Sequence, residues 1–432
     1  MIETLLRPAV LVPAVALVAF VIHQLFFAGP KLPKLPILGA KEGDWFPFYQ
    51  ATWRNTINFK AAVQEADQKY RDQAVLMPVA MAQNMVLLPR SETQFVTDQP
   101  DSKLDMHTQA IDALQTDYTT TDPSLVRNPV HHKLITTTLT NQIGNLVPDV
   151  AEETAWAFDT HWGNPDEFQE VCVYDTMRKI VGCVTNRVFV GKPNAAHDME
   201  APAAPPRSRG QIARPRAQRL PSMDHQAGQG HGRPLPLAAS KQEYLDELRA
   251  EIEDVLAEHN NQWDKRALAK MQKLDSVMRE SARLNSFVTI GLSRAVVAPD
   301  GIVTPSGVRI PRGVTVNVPS YPVFQDSAIY PDAREFKPFR FAEQRSDESV
   351  EYVKRAAKAF ATTSTDYLAF GHGRNACPGR FFAANELKLM LAHLVLSYDI
   401  EIGGERPRNS WFGLNRVPPL QATIRMKKRV KA

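Results

Sequence analysis

Cysteine is scarce in this chain. Its 432 residues hold three, Cys172, Cys183 and Cys377, with no CxxC pair and no even-numbered framework. That excludes a disulfide scaffold and a cysteine-rich zinc site, and suits a reducing compartment. An excess of one charge is lacking too: 51 Lys+Arg oppose 47 Asp+Glu, for a net +4, too slight a surplus to argue for nucleic acid. No internal repeat is visible. Between residues 201 and 239 lysine and aromatic residues vanish, while seven prolines, six arginines and four glycines accumulate. Proline removes amide donors and the stretch has little apolar surface to offset chain entropy, so 194–239 is expected to be an anomalous, disordered segment.

What is present begins with one long hydrophobic run, Pro8 to Ala28, interrupted only by His23 and Gln24. Its ~21 residues make about 31 Å of helix, enough to cross a hydrocarbon core. A cleaved signal peptide would have a shorter apolar stretch and a small-x-small cleavage site, and "FFAGPKLP" fits that poorly. Lys31 and Lys34 follow the run whereas only Arg7 precedes it, which favours a single-pass anchor (residues 1–30) with the remaining 31–432 in the cytosol. "GPKLPKLPILG" then forms a stiff neck.

Beyond the neck the chain reads as mainly α with a minor β component. "FKAAVQEADQKYRDQ" and "PDVAEETAWAFDTHW" carry apolar residues at helical spacing. Ser240 and Glu243 have capping-box spacing ahead of an apolar face of Leu245, Leu248, Ile252, Val255 and Leu256. A second helix is expected from Asp264 to about Leu284. Short apolar runs broken by glycine and proline in "GIVTPSGVRIPRGVTVNVPS" predict a small sheet, and "FFAANELKLMLAHLVL" a late helix followed by strands at "YDIEI" and "LQATIRM".

The chemistry concentrates in "FGHGRNACPGR", Phe370 to Arg380. Gly371, Gly373 and Ala376, with Asp399 downstream, trace the outline of a dinucleotide-binding G-x-G-x-x-A loop. Pro378 and Gly379 separate that loop from the following helix, however, and no further βα units accompany it. The other reading makes Cys377 a metal ligand. A thiolate needs amide donors, positive charge and a helix N-terminus near sulfur, and this loop offers all three. Arg374 supplies a cation suited to a carboxylate. Cys172 and Cys183 read as inert.

The same stretch resembles the haem-thiolate signature F-x-x-G-x-R-x-C-x-G of the cytochrome P-450 monooxygenases at Phe370, Gly373, Arg374, Cys377 and Gly379. "ESAR" supplies the family's E-x-x-R pair, Glu280 and Arg283, and "FKPFRF" is similar to the segment whose arginine, here Arg340, completes it. The loop region looks like filamentous-fungal secondary-metabolism members, including the ent-kaurene oxidase type. The resemblance implies a cytochrome P-450 fold, haem b (iron protoporphyrin IX) held by Cys377, and oxidation of a hydrophobic, terpenoid-like molecule with O2. Electrons from NADPH would arrive through a membrane-bound NADPH-cytochrome P-450 reductase, at the endoplasmic reticulum. By the same analogy Arg294 is a haem-propionate partner, His131 a further cofactor contact on an early helix, and Ser286–Ile290 and Trp411 face the substrate.

One family element has no match. The long distal (I) helix, with its A/G-G-x-[DE]-T-[ST] stretch, should end just before Ser240, where the proline-arginine segment stands; "FDTH" and "YDTM" lie too early. The chain is therefore expected to lack an intact distal helix, as from a defective gene model or allele. A haem-binding but catalytically defective remnant is the alternative to an active monooxygenase.

Overall fold

The computed structural model describes residues 32–80, 82, 85–120, 122, 124–191, 242–402 and 407–430, with seven positions between 12 and 20. The helices that organise it are α1 (Pro47–Ile57), α2 (Phe59–Lys69), α3 (Met106–Leu114), α4 (Val130–Leu134), α5 (Thr140–His161), α6 (Val173–Phe189), α7 (Gln242–Glu258), α8 (Lys265–Lys270), α9 (Gln272–Asn285), α10 (Arg340–Ser346) and α11 (Arg380–Ser397). α5 buries Ile143, Val147, Val150, Thr154, Ala157 and Phe158, the three-and-four spacing of a helix with one inward stripe. α11 is buried on several sides, through Phe382, Ala384, Leu389, Met390 and Val395. It is accordingly the central helix, packing against α5, α7 and α9.

A helix apolar nearly all round can be satisfied only in the interior. The core around it joins Phe158 and Trp162 to Leu248, Ile252, Leu274 and Tyr398. Of the apolar face expected on α7, Leu245, Leu248, Ile252 and Val255 are buried, and Leu256 packs partly buried against the same core. The helix expected from Asp264 to Leu284 is two. Asp264 caps α8 by accepting from the Arg266 and Ala267 amides, but Met271, at φ −72° and ψ 78°, turns the chain before α9 begins. Periodicity is blind to this corner, because Leu268, Met271 and Leu274 are all buried on either side of it.

The strands are β1 (Val75–Leu76), β2 (Met85–Leu87), β3 (Leu104–Asp105), β4 (Gln169–Cys172), β5 (Ile290–Val296), β6 (Ile302–Val303), β7 (Arg309–Ile310), β8 (Thr315–Pro319), β9 (Tyr398–Glu401), β10 (Ser410–Phe412), β11 (Asn415–Val417) and β12 (Thr423–Lys428). The main sheet runs β1-β2-β8-β5-β3, with only β2 and β8 parallel. Asp399 lies on β9, which pairs antiparallel with β12. The cysteine loop thus leads through α11 into an antiparallel sheet, so the dinucleotide reading fails: no parallel βαβ unit forms there.

Of the expected anchor, the described positions are helical, with Val12, Val15, Leu17 and Phe20 exposed; the rest lies outside the described residues, as do 194–239 and Ser240. Among the described residues no helix is long and apolar enough to cross a membrane.

Candidate haem-thiolate site

The site is built outward from a buried charge cluster. Glu280 and Arg283 face each other on α9, and Arg283 donates through Nε and Nη2 to the two carboxylate oxygens at 2.8 and 2.7 Å. Arg340, at the start of α10, adds a third bond to Glu280 Oε1 at 3.2 Å. Neither Glu280 nor Arg283 is exposed at all. Arg283 Nη1 also donates to the carbonyl of Ala333 at 2.6 Å, so the cluster ties the loop 331–340 to α9. A buried ion pair is tolerable only when its remaining donors and acceptors are filled, as here.

A second buried pair carries this order to the cysteine. Asp275 of α9 meets Lys388 of α11 at 2.8 Å. Its other oxygen accepts from the Phe360 amide at 2.7 Å. The Phe360 ring then packs edge-on against Phe370, centroids 5.2 Å apart. One carboxylate on α9 therefore fixes both the helix that follows Cys377 and the aromatic side chain that begins its loop.

The loop itself is a tight turn. The Cys377 amide donates to the Phe370 carbonyl at 2.8 Å and the Ala376 amide to that of Gly373 at 3.1 Å. Gly371 and Gly373 sit at φ +70° and +72°, a region open to glycine at little cost. Cys377 is exposed, Gly379 caps α11, and Arg380 Nη1 donates to the Cys377 carbonyl at 2.9 Å.

Arg374 reaches from the loop to the Gln99 carbonyl, and Asn375 to Asp101 at 3.1 Å. Arg294, on β5, is 5% exposed and donates to the Ser293 carbonyl at 2.8 Å. Burial lowers the pKa of its guanidinium, against the pull of Asp101 and Asp105, and Arg374 pushes in the same direction as burial. The structure thus brings Arg294 and Arg374 into one electrostatic neighbourhood. Among the described residues neither forms an ion pair with a carboxylate. His131 is exposed on α4 with its ring against His132, centroids 4.8 Å apart. Ile135, one turn further on, lies 3.9 Å from where a Gly379 Cβ would stand, so this early helix passes the start of α11.

The residues suit an iron porphyrin. Among the described residues no group of three or more His, Cys, Asp or Glu side chains could hold a metal ion, so an iron at Cys377 would have to bring its own chelate, with one protein ligand on this side. Two cations without carboxylate partners match a pair of propionates. The residues named from sequence as substrate-facing mostly are core: Ser286, Thr289 and Ile290 are buried, while Phe287 is 68% exposed. Thr289 donates to the Leu414 carbonyl at 2.7 Å, and Trp411 packs between Phe59 and Tyr321. Thr97, Gln99 and Ile135 meet the loop without any signal in the sequence, since their contacts join segments hundreds of residues apart. A crevice lined by Asp67, Tyr70, Arg71, Arg90, Pro322 and Asp326 lies elsewhere and shares none of these residues.

Comparison with known proteins agrees with this geometry. The family model described as Cytochrome P-450 matches residues 235–422, a span that holds Glu280, Arg283, Arg294, Arg340 and the whole cysteine loop. Over that span the chain is similar to the cytochrome P-450 family. It is similar to Cytochrome P-450 monooxygenase 103 of Postia placenta, 28% identical over 94% of this chain and 93% of the relative. Cytochrome P-450 monooxygenase 151 of the same organism is 39% identical over 44% of this chain and 37% of its own. Cytochrome P-450 monooxygenase pbrC of Penicillium brasilianum is 24% identical over 98% of this chain and 96% of the relative. All three relatives are named as cytochrome P-450 monooxygenases, and it is to these haem-dependent enzymes that the chain is similar.

Proposed function

We propose that this chain is a haem-thiolate monooxygenase of fungal secondary metabolism, oxidising a hydrophobic, terpenoid-like small molecule with O2. The observation that carries the reading is the Phe370–Arg380 turn, which offers one exposed thiol at the head of α11, hydrogen-bonded through its amide to Phe370. Cys377 would hold haem b through its thiolate, and the group, so held, would supply oxygen activation for C–H oxidation. The chain's own part is placement. Gly373 and Gly379 allow close approach of the loop, Phe370 gives it an apolar wall, and Arg374 and Arg294 hold the propionates. His131, on the early helix, is a further contact. Exposed Phe287 is the candidate substrate contact, and its aromatic surface suits a hydrophobic ligand.

In this reading residues 1–30 anchor the protein in the endoplasmic reticulum membrane. Residues 31–432 form the cytosolic oxidase domain, with 194–239 as an anomalous insert, and NADPH-cytochrome P-450 reductase supplies electrons. A specific observation favours a second reading, that of a haem-binding but catalytically defective remnant. Alignments with the relatives from Postia placenta and Penicillium brasilianum span 487 and 518 positions, more than the 432 residues of the chain. Stretches of those relatives therefore have no counterpart here, and the distal-helix signature is absent from the sequence. The full chain, co-expressed with reductase in microsomes and given NADPH, 18O2 and a terpenoid panel, tests the choice. A product carrying one labelled oxygen supports the monooxygenase; haem incorporation without any labelled product supports the remnant.

A further inference from the structure

Strand β5 contains an irregularity at the residue pair before Arg294. Gly291 is paired with Val318 and Arg294 with Val316, so Leu292 and Ser293 together oppose the single residue Asn317. Two against one is a β-bulge. Leu292 adopts φ +53°, a left-handed conformation that leucine rarely takes and that glycine would accept freely. In an unbroken strand Ile290, Leu292 and Arg294 would share one face. Here Ile290 packs with Phe59 and Val63, whereas Leu292 and Val296 pack in the separate cluster of Val316 and Tyr367.

The bulge is stitched from the partner strand. Ser293 Oγ donates to Asn317 Oδ1, and Asn317 is fully buried, its Nδ2 lacking a hydrogen-bond partner among the described residues. A polar side chain so placed, inside a sheet of valines, costs stability for the part of it left unpaired. The Ser293 carbonyl, inside the bulge, is the group that receives Arg294 Nη1. The distorted residue pair and the guanidinium are therefore in direct contact.

We infer that the Leu292–Ser293 bulge, locked by Asn317, is a positioning device that aims the Arg294 guanidinium at the anionic edge of the prosthetic group. This rests on the reading above in which Arg294 holds a propionate. Backbone strain at one apolar residue is exchanged for a fixed direction at a buried cation, so Leu292, Ser293 and Asn317 act through Arg294 and touch no reacting atom.

The test measures the rate of haem transfer from the full chain to excess apomyoglobin, together with the haem midpoint potential. Arg294→Gln is expected to speed haem release at least tenfold and to shift the potential. Leu292→Val, whose β-branched side chain resists positive φ, is expected to do the same, and the double variant to be no faster than Arg294→Gln alone. Leu292→Gly keeps the bulge without strain and should stay within twofold of the parent. Should Leu292→Val fail to fold, Ser293→Ala removes the lock by one oxygen atom and is expected to speed release at least threefold. Parental release from Leu292→Val or Ser293→Ala, with Arg294→Gln fast, overturns the inference. Parental release from Arg294→Gln overturns the propionate reading instead.

Discussion

Glu280 accepts a hydrogen bond from Arg340 at 3.2 Å across a sequence separation of 60 residues, with 0% and 5% of the two side chains exposed. Arg283 and the Lys337 amide fill the other acceptor sites of this enclosed carboxylate. Removing one partner strands the others. Glu280→Ala is expected to destabilise the fold by about 3–5 kcal/mol, read as a shifted midpoint in guanidinium unfolding. A loss under 1 kcal/mol would mean that the cluster is ornamental.

At Gly373 the backbone sits at φ +72°, and an added Cβ would stand 3.0 Å from the Thr97 Cβ. Gly373→Ala therefore meets both an unfavourable conformation and a crowded neighbour, and should cost about 1–3 kcal/mol. Adding Thr97→Ala should recover part of this, since it removes the crowding and leaves the strain. Equal stability of the single and double variants would show that the contact contributes nothing.

Arg54 of α1 holds the end of the neck through the Gly39 carbonyl at 3.1 Å and grips Asp44, just beyond it, in a two-pronged pair at 2.5 and 2.7 Å. That guanidinium, with the Lys41 amide, lowers the pKa of the Asp44 carboxyl from 3.8 to about 2. The unfolded chain thus binds the proton more readily than the folded one, and stability rises with pH through this window. The contribution is fully present above pH 3.8 and lost as pH falls toward about 2. In Asp44→Asn this part of the acid-unfolding profile should flatten, whereas a profile unchanged from the parent would remove Asp44 from the account.

Phe287 is 68% exposed between the buried Ser286 and Thr289. Phe287→Ala should leave thermal stability within ~0.5 kcal/mol, as for surface positions generally. It should weaken binding of a hydrophobic ligand severalfold, read from the ligand-induced Soret shift. Unchanged ligand affinity would move the substrate contact elsewhere.

The sequence made some of this legible and hid the rest for physical reasons. The cysteine turn is a short-range pattern whose chemistry is local, so it could be read directly, whereas Glu280 and Arg283 stand out only as the E-x-x-R pair of the resemblance. Their meeting with Arg340 was readable only through family resemblance. The corner at Met271 was hidden because the apolar rhythm runs through it, and the bulge at Leu292 because leucine gives no sign of positive φ. Contacts of Arg374 with Gln99, or of Asp275 with Phe360, depend on how distant segments pack. Nothing in either segment alone announces them. Ser286, Thr289 and Ile290 run the other way: family analogy names them as substrate-facing, and in the structure they are buried.

The account depends most on sulfur at position 377, and a carbon-monoxide difference spectrum of the reduced, haem-loaded full chain tests that directly. Thiolate ligation predicts the strongly red-shifted Soret band in the parent and its loss in Cys377→Ser. The same red-shifted band in both proteins, or its absence from a haem-loaded parent, would contradict it.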